Sequence, residues 1–146
     1  MLGMRLSVVS IGTRDIDQLT EFYESLGWKT DFATDGFALI NLAGAPLALY
    51  SLDHLAVELG TTAEAIDDGG AYGRHIPGVL LDSPDEVDVV HREIEKSGAQ
   101  LRTKPAIQPW GVRNFYFTDP EGNLWEVAHM PGITFGTQDA AIWPLR

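Results

Sequence analysis

A chain of 146 residues, 45% of them hydrophobic, suits one compact domain or two half-modules on a shared core, and excludes a disordered composition. It has no cysteine, which excludes disulfides and thiolate metal sites and makes a cytoplasmic home the expectation. A formal charge of −11 excludes the basic footprint of a nucleic-acid binder and disfavours anionic membrane surfaces; it reads first as a charge that keeps the chain soluble, with attraction of a cationic ligand as the alternative.

The opening MLGMRLSVVSIG lacks the ordered charged, apolar and cleavage regions of a signal peptide. Its apolar run stops at Thr13-Arg14-Asp15, too short to span a bilayer. Leu6 to Gly12 is rich in β-branched residues and predicts a strand. Asp15 is a good N-cap for a helix through Ser25, with Gln18 at the capping-box position. Ile16, Leu19, Phe22, Tyr23 and Leu26 recur at helical spacing and predict one apolar face, which Gly27 ends. Three strand-like runs follow: Lys29 to Ala33, Phe37 to Leu42 and Pro46 to Leu52.

Residues 53–74, with the acidic, glycine-rich AEAIDDGGAYG, read as a linker carrying a short helix around Leu55 to Leu59. The order then repeats. Gly78 to Leu81 predicts a strand, and Ser83-Pro84-Asp85-Glu86 combines an N-cap, a proline at the first helical position and a capping-box glutamate. Val87, Val90, Ile94 and Gly98 stand 71 positions after Ile16, Leu19, Tyr23 and Gly27. Strand-like runs at Gln100 to Thr103, Asn114 to Thr118 and Leu124 to His129 complete the second half, the last two joined by the turn Asp119-Pro120-Glu121-Gly122-Asn123.

The expectation is one α+β structural domain of two βαβββ modules, 1–52 and 75–130, forming a curved, cup-like mixed sheet with the helices outside. The tail, 131–146, has no clear periodicity, but its Phe135, Ile142 and Trp143 predict that it packs on something.

RLSVVSIGTRDIDQLTEFYESLGWKT and NFYFTDPEGNLWEVAHMPG resemble the opening and closing signatures of the vicinal-oxygen-chelate superfamily, which includes glyoxalases, bleomycin-resistance proteins and extradiol dioxygenases. SPDEVDVVHREIEKSGAQL resembles its second helix, so the likeness covers almost the whole chain. It implies the cup-like fold, not one activity. Metal-dependent members hold a divalent ion with four inward-facing side chains, usually His and Glu, and the ion acts as a Lewis acid on adjacent substrate oxygens.

Carried over residue by residue, those positions fall at Val8, Ala48 and Glu126, with the fourth at Val79 by the 71-residue displacement, or at Ile76 without the longer loop. One ligand of four survives, whereas a catalytic site normally needs three. The expectation is therefore no metal and no cofactor. The resemblance then implies a small-molecule-binding protein or a metal-independent enzyme with an apolar cup.

Glu126 is the catalytic candidate, as a general base or an anchor for a ligand's amine; its bland alternative is a structural hydrogen bond. Val8, Ala48, Val79, Trp110, Arg113 and Tyr116 are the ligand-binding candidates, with Trp110 in a Pro- and Gly-flanked loop placed to close over the cup. Trp28 and Trp125 are expected between sheet and helices. The second functional class is a metal-dependent lyase or dioxygenase using displaced ligands, His75 turned inward beside Glu126. His54, His91 and His129 read as structural or surface residues. Expected partners are a small molecule and a second copy of the chain, paired through exposed strand edges as a homodimer, with neither nucleic acid nor membrane.

Overall fold

In a computed structural model of the chain, residues 2–3, 5–25, 27–42, 44–67, 75–118, 124–136 and 141–142 are described. The turn read at 119–123, the glycine-rich end of the linker, Leu26 and Trp143 lie outside them. The β-branched opening forms β1 (Val8–Thr13). Helix α1 (Ile16–Ser25) starts where Asp15 Oδ1 accepts the Gln18 backbone N–H at 3.0 Å. Gly27 (φ 89°) follows it, its N–H donating to the Glu24 carbonyl. Strands β2 (Thr30–Thr34), β3 (Phe37–Ile40) and β4 (Leu47–Ser51) complete the first half.

The linker holds more order than the sequence predicts. It contains α2 (Leu52–Leu59), three residues longer at its start than expected, and α3 (Ala63–Asp67). The second half follows with β5 (His75–Leu80), α4 (Pro84–Ser97), β6 (Gln100–Leu101), β7 (Ala106–Ile107), β8 (Arg113–Thr118) and β9 (Leu124–His129). Ser83 caps α4 by accepting the Glu86 N–H, and Glu86 reaches back to the Asp82 N–H rather than to the cap residue's own. The tail forms a small hairpin of β10 (Thr134–Phe135) and β11 (Ala141–Ile142), pairing that its composition did not signal.

These elements make an α+β fold around one curved, unclosed mixed sheet in the order β2-β3-β4-β1-β5-β9-β8-β6, with β7 also paired to β8. β1 runs parallel to β4 and β5 parallel to β9, and the halves meet at an antiparallel β1–β5 seam. Alternation sorts the side chains onto two faces. On the outer face, Ile16, Leu19 and Tyr23 of α1 cover Ala38, Ile40, Leu47 and Leu49. Val87 and Val90 of α4 cover Val79, Phe115 and Val127 in the same way.

The apolar face expected for α1 is only partly used. Phe22 stays 53% exposed, and Trp28, instead of lying between sheet and helix, stacks on Tyr23 at the end of α1 with centroids 5.2 Å apart. The inner face receives α2: Leu52, Leu55, Ala56 and Leu59 pack with Tyr50, Ile76, Tyr116 and Leu124. α2 therefore fills one end of the cup and leaves the other open. Among the described residues, no helix is long and apolar enough to cross a membrane.

Gly36 links β2 and β3 at φ 94°, and a Cβ there would collide with the His54 ring of α2. Gly36→Ala is expected to destabilise the fold by about 1–2 kcal/mol, from the left-handed backbone and the displaced ring. Urea unfolding checks this; an unchanged midpoint would show that the turn and His54 relax freely.

Candidate functional site

The open end of the cup is a cavity of about 330 Å³. Val8, Ala48, Leu80 and Ala128 form its apolar floor, each at an inward position of its strand. Phe32, Phe37, Tyr50 and Trp110 form an aromatic wall. Glu126 is the carboxylate among the lining residues. It points inward because β9 alternates Leu124, Glu126, Ala128 toward the cup, with Trp125 and Val127 toward α4.

Beside it, the missing side chain of Gly78 makes room for Val8. Gly78 pairs with both Val8 and Glu126, and a Cβ there would meet Val8 Cγ1 at 2.7 Å and Glu126 Oε1 at 3.5 Å. Gly78 is thus the residue of β5 at the level of Val8 and Glu126. The Val79 expectation is corrected. The 71-residue displacement matches the helix ends at Gly27 and Gly98, but α4 has 14 residues to the 10 of α1, so the displacement does not carry over to the strands that precede them. One residue of slip reverses the face. Val79 lies against Val87 and Val90 instead of the cavity.

Glu126 does not act alone. From α2, Glu58 brings a second carboxyl against it. Asn114 Nδ2 donates to Glu58 Oε1 and to Glu126 Oε2, each at 2.8 Å. Tyr116 Oη lies 3.2 Å from the same Glu58 oxygen and 3.0 Å from the same Glu126 oxygen. Gln108 Nε2 donates to Asn114 Oδ1 at 2.9 Å, which turns the Asn114 amino group toward the two acids. A tyrosine hydroxyl has one proton, so only one of its two contacts is its own donation; the other calls for a proton on a carboxyl.

Burial, and then repulsion from Glu126, push Glu58 up from 4.5 to about 8 despite the opposing hydrogen bonds from Asn114 and Tyr116. Burial raises Glu126 too, against hydrogen bonds from the same two side chains. Tyr116 is pushed well above the usual tyrosine range by burial and by both carboxylates, so it remains neutral. With Glu58 raised to about 8, its carboxyl carries a proton at neutral pH, which supplies the donor that the single Tyr116 hydroxyl lacks.

Other expected site residues lie elsewhere. Arg113 is on the outer face of β8, where it makes two hydrogen bonds to Asp88 of α4 at 2.7 and 3.2 Å, and it does not reach the cavity mouth. Tyr116 is inward but buried behind the cavity, so it meets the carboxyl pair rather than the lining. Trp110 does line the cavity, edge-on to Tyr50 with centroids 5.8 Å apart. His75 is exposed at the start of β5, one residue out of phase with inward Ile76, and the structure does not bring it to Glu126. His91 sits edge-on to Phe115, and His129 Nδ1 lies 3.1 Å from the Leu81 carbonyl.

Sequence reasoning missed Glu58, Asn114 and Gln108. A partial signal existed for Glu58: an acidic residue flanking the apolar stripe Leu52, Leu55, Ala56, Leu59 of a helix assigned to a linker.

A divalent ion does not fit this donor set. Val8, Ala48 and Gly78 offer no side-chain donor, Ile76 packs against α2, and the Asn114 amino group occupies the space between the carboxylates with its hydrogens. Among the described residues, no three His, Asp or Glu side chains are grouped to hold a metal.

Comparison with known proteins agrees with the fold. The family model described as the Glyoxalase/Bleomycin resistance protein/Dioxygenase superfamily matches residues 5–127. A search of curated proteins finds no match. Among solved structures, a NAD-dependent benzaldehyde dehydrogenase from Legionella pneumophila superposes with a TM-score of 0.66 at 18% identity, over 84% of this chain and 97% of that one. A methylmalonyl-CoA epimerase from Streptomyces coelicolor gives 0.58 at 19% identity, over 88% and 98%. A Mn(II)-bound glyoxalase from Novosphingobium aromaticivorans gives 0.54 at 19% identity, over 94% of this chain but 40% of that one. Likeness at these identities speaks for the fold alone.

Proposed function

We propose, from the premise that the chain belongs to the glyoxalase/bleomycin resistance protein/dioxygenase superfamily, that it is a metal-independent binder of a small, largely apolar molecule in the open end of its cup. The observation that carries this reading is the 330 Å³ cavity, apolar and aromatic in its walls with one carboxylate set among them. Small-molecule sites have this composition: apolar area supplies affinity, and a few polar groups fix orientation. Full burial of a ligand's apolar surface contributes about 25 cal/mol per Å² before the cost of immobilisation.

Ala48→Phe tests this directly. Ala48 is buried on the cavity floor, and a phenyl ring there enters empty volume instead of displacing packed atoms. The variant should fold with a stability change of less than about 1 kcal/mol, because overpacking is costly only where space is already filled. Small molecules that raise the melting temperature of the parent protein should no longer do so. Unchanged ligand-induced shifts would place the binding site outside the cup.

The carboxyl pair favours a second reading, in which the bound molecule is also a substrate for proton transfer. A general acid or base works best with a pKa near the operating pH, and Glu58 near 8 behind Glu126 meets that condition. Bound carbonyl compounds would then exchange a carbon-bound hydrogen for deuterium in D2O, and the exchange would disappear in Glu126→Gln.

A further inference from the structure

We propose that the molecule bound in the cup is a small organic cation, an alkyl- or arylammonium, which meets the aromatic wall, the Tyr50 hydroxyl and the Glu126 carboxyl together. The inference rests on the small-molecule reading above and narrows its ligand class.

Four rings line the cavity in a connected series. Phe32 and Phe37 are 6.0 Å apart at 56°, Phe37 and Tyr50 5.8 Å apart at 82°, and Tyr50 and Trp110 5.8 Å apart at 65°. Steeply angled neighbours make the corner of a box, turning π-faces in different directions around one volume. Aromatic faces attract cations through their quadrupole, and an ammonium among several rings gains from each.

Tyr50 adds a hydrogen-bonding group. Its residue is 6% exposed, and its buried hydroxyl has no hydrogen-bond partner among the described residues. A buried hydroxyl without a partner is costly, and an ammonium N–H would satisfy its oxygen. Glu126 supplies the charge: Oε2 is held by Asn114 and Tyr116, while Oε1 has no hydrogen-bond partner among the described residues. The lining residues include no Lys, Arg or His. An anionic ligand would therefore add a negative charge beside two acids, and a neutral apolar ligand would strip water from Glu126 without replacing it.

The proton follows from the same geometry. Among the described residues, the ionisable groups shown against Glu58 are Glu126 from β9 and Tyr116 from β8, while the His54 ring, one turn earlier on α2, lies against Gly36; Tyr50 comes from β4, and β1 and β5 bring Val8, Ser10, Ile76 and Gly78 to the inner face. No lysine or arginine is among them, so repulsion between the two carboxylates is answered by a bound proton. A ligand cation answers it instead. With Glu58 near 8, binding at pH 7 releases close to one proton to solvent for each cation taken up.

The test is calorimetric titration with benzylammonium and with benzyl alcohol, which has the same number of heavy atoms and no charge. The cation is expected to bind about tenfold more tightly at pH 7. Its affinity should rise by up to about tenfold per pH unit from pH 6 and flatten above pH 8. Titration in two buffers of different ionisation enthalpy should show proton release in the unaltered protein. Glu126→Gln should remove the preference for the cation, so that the two compounds bind with similar affinity. Equal affinities in the unaltered protein would overturn the cation assignment and leave the apolar-cup reading standing. Binding of neither compound would overturn both.

Discussion

Glu58→Gln is expected to raise the unfolding free energy by on the order of 4 kcal/mol at pH 9 while changing it little below pH 4.5. The folded state raises Glu58 from 4.5 to about 8, so between those values it binds a proton that the unfolded chain has released. Protons bound preferentially to the folded state make stability fall as pH rises. The stabilising proton is fully present below 4.5, and its contribution is lost progressively up to about 8. Glu126, raised as well, changes stability in the same direction. Glutamine resembles the protonated acid in shape and stays neutral, so it removes the Glu58 part of this slope. For a domain of this size the gain at pH 9 corresponds to a melting temperature higher by roughly 10 °C. Thermal melts of both proteins at pH 4, 7 and 9 measure it. Parallel curves at every pH would mean that Glu58 is solvated and carries no proton at neutral pH. A buried acid pair that costs stability is expected of a site kept for binding or chemistry, and better stability with loss of ligand affinity in one variant would identify it as such.

Phe115→Ala is expected to cost about 3–5 kcal/mol, the range for truncating a buried aromatic side chain. Phe115 is fully buried on the outer face of β8, between α4 and the sheet. Its ring meets His91 edge-on at 5.0 Å, and the Phe117 ring lies 6.4 Å away. Val79, Leu81, Val87, Val90 and Val127 complete the buried cluster, and its four β-branched valines have few rotamers with which to collapse into the void. The melting temperature should fall by roughly 10 °C. Because the cluster lies across the sheet from the cup, the surviving folded protein should keep its ligand affinity within about twofold, as sites with no shared partners are nearly additive. A loss below about 1 kcal/mol would mean that α4 is loosely docked.

The chain's own order of residues determined the architecture. Asp15 and Ser83 start helices, Gly27 and Gly98 end them, and period-two alternation in Val8–Thr13 and Leu124–His129 decides which side chains meet in the cup. These are local signals, carried by backbone conformations and periods that span a few residues. Glu126, Val8, Ala48 and Trp110 were legible as members of the cavity for the same reason.

Only the tertiary structure decided the rest. Val79 and Arg113 went to the outer face because parity depends on the lengths of the preceding elements and the register of a pairing, and a single residue reverses it. Glu58 meets Glu126 across 68 positions because α2 folds back into the cup, and Asn114 and Tyr116 join them through the β8–β9 register. The raised pKa values follow from that meeting: burial and a second carboxylate are properties of a place in the fold, and no short stretch of sequence contains them.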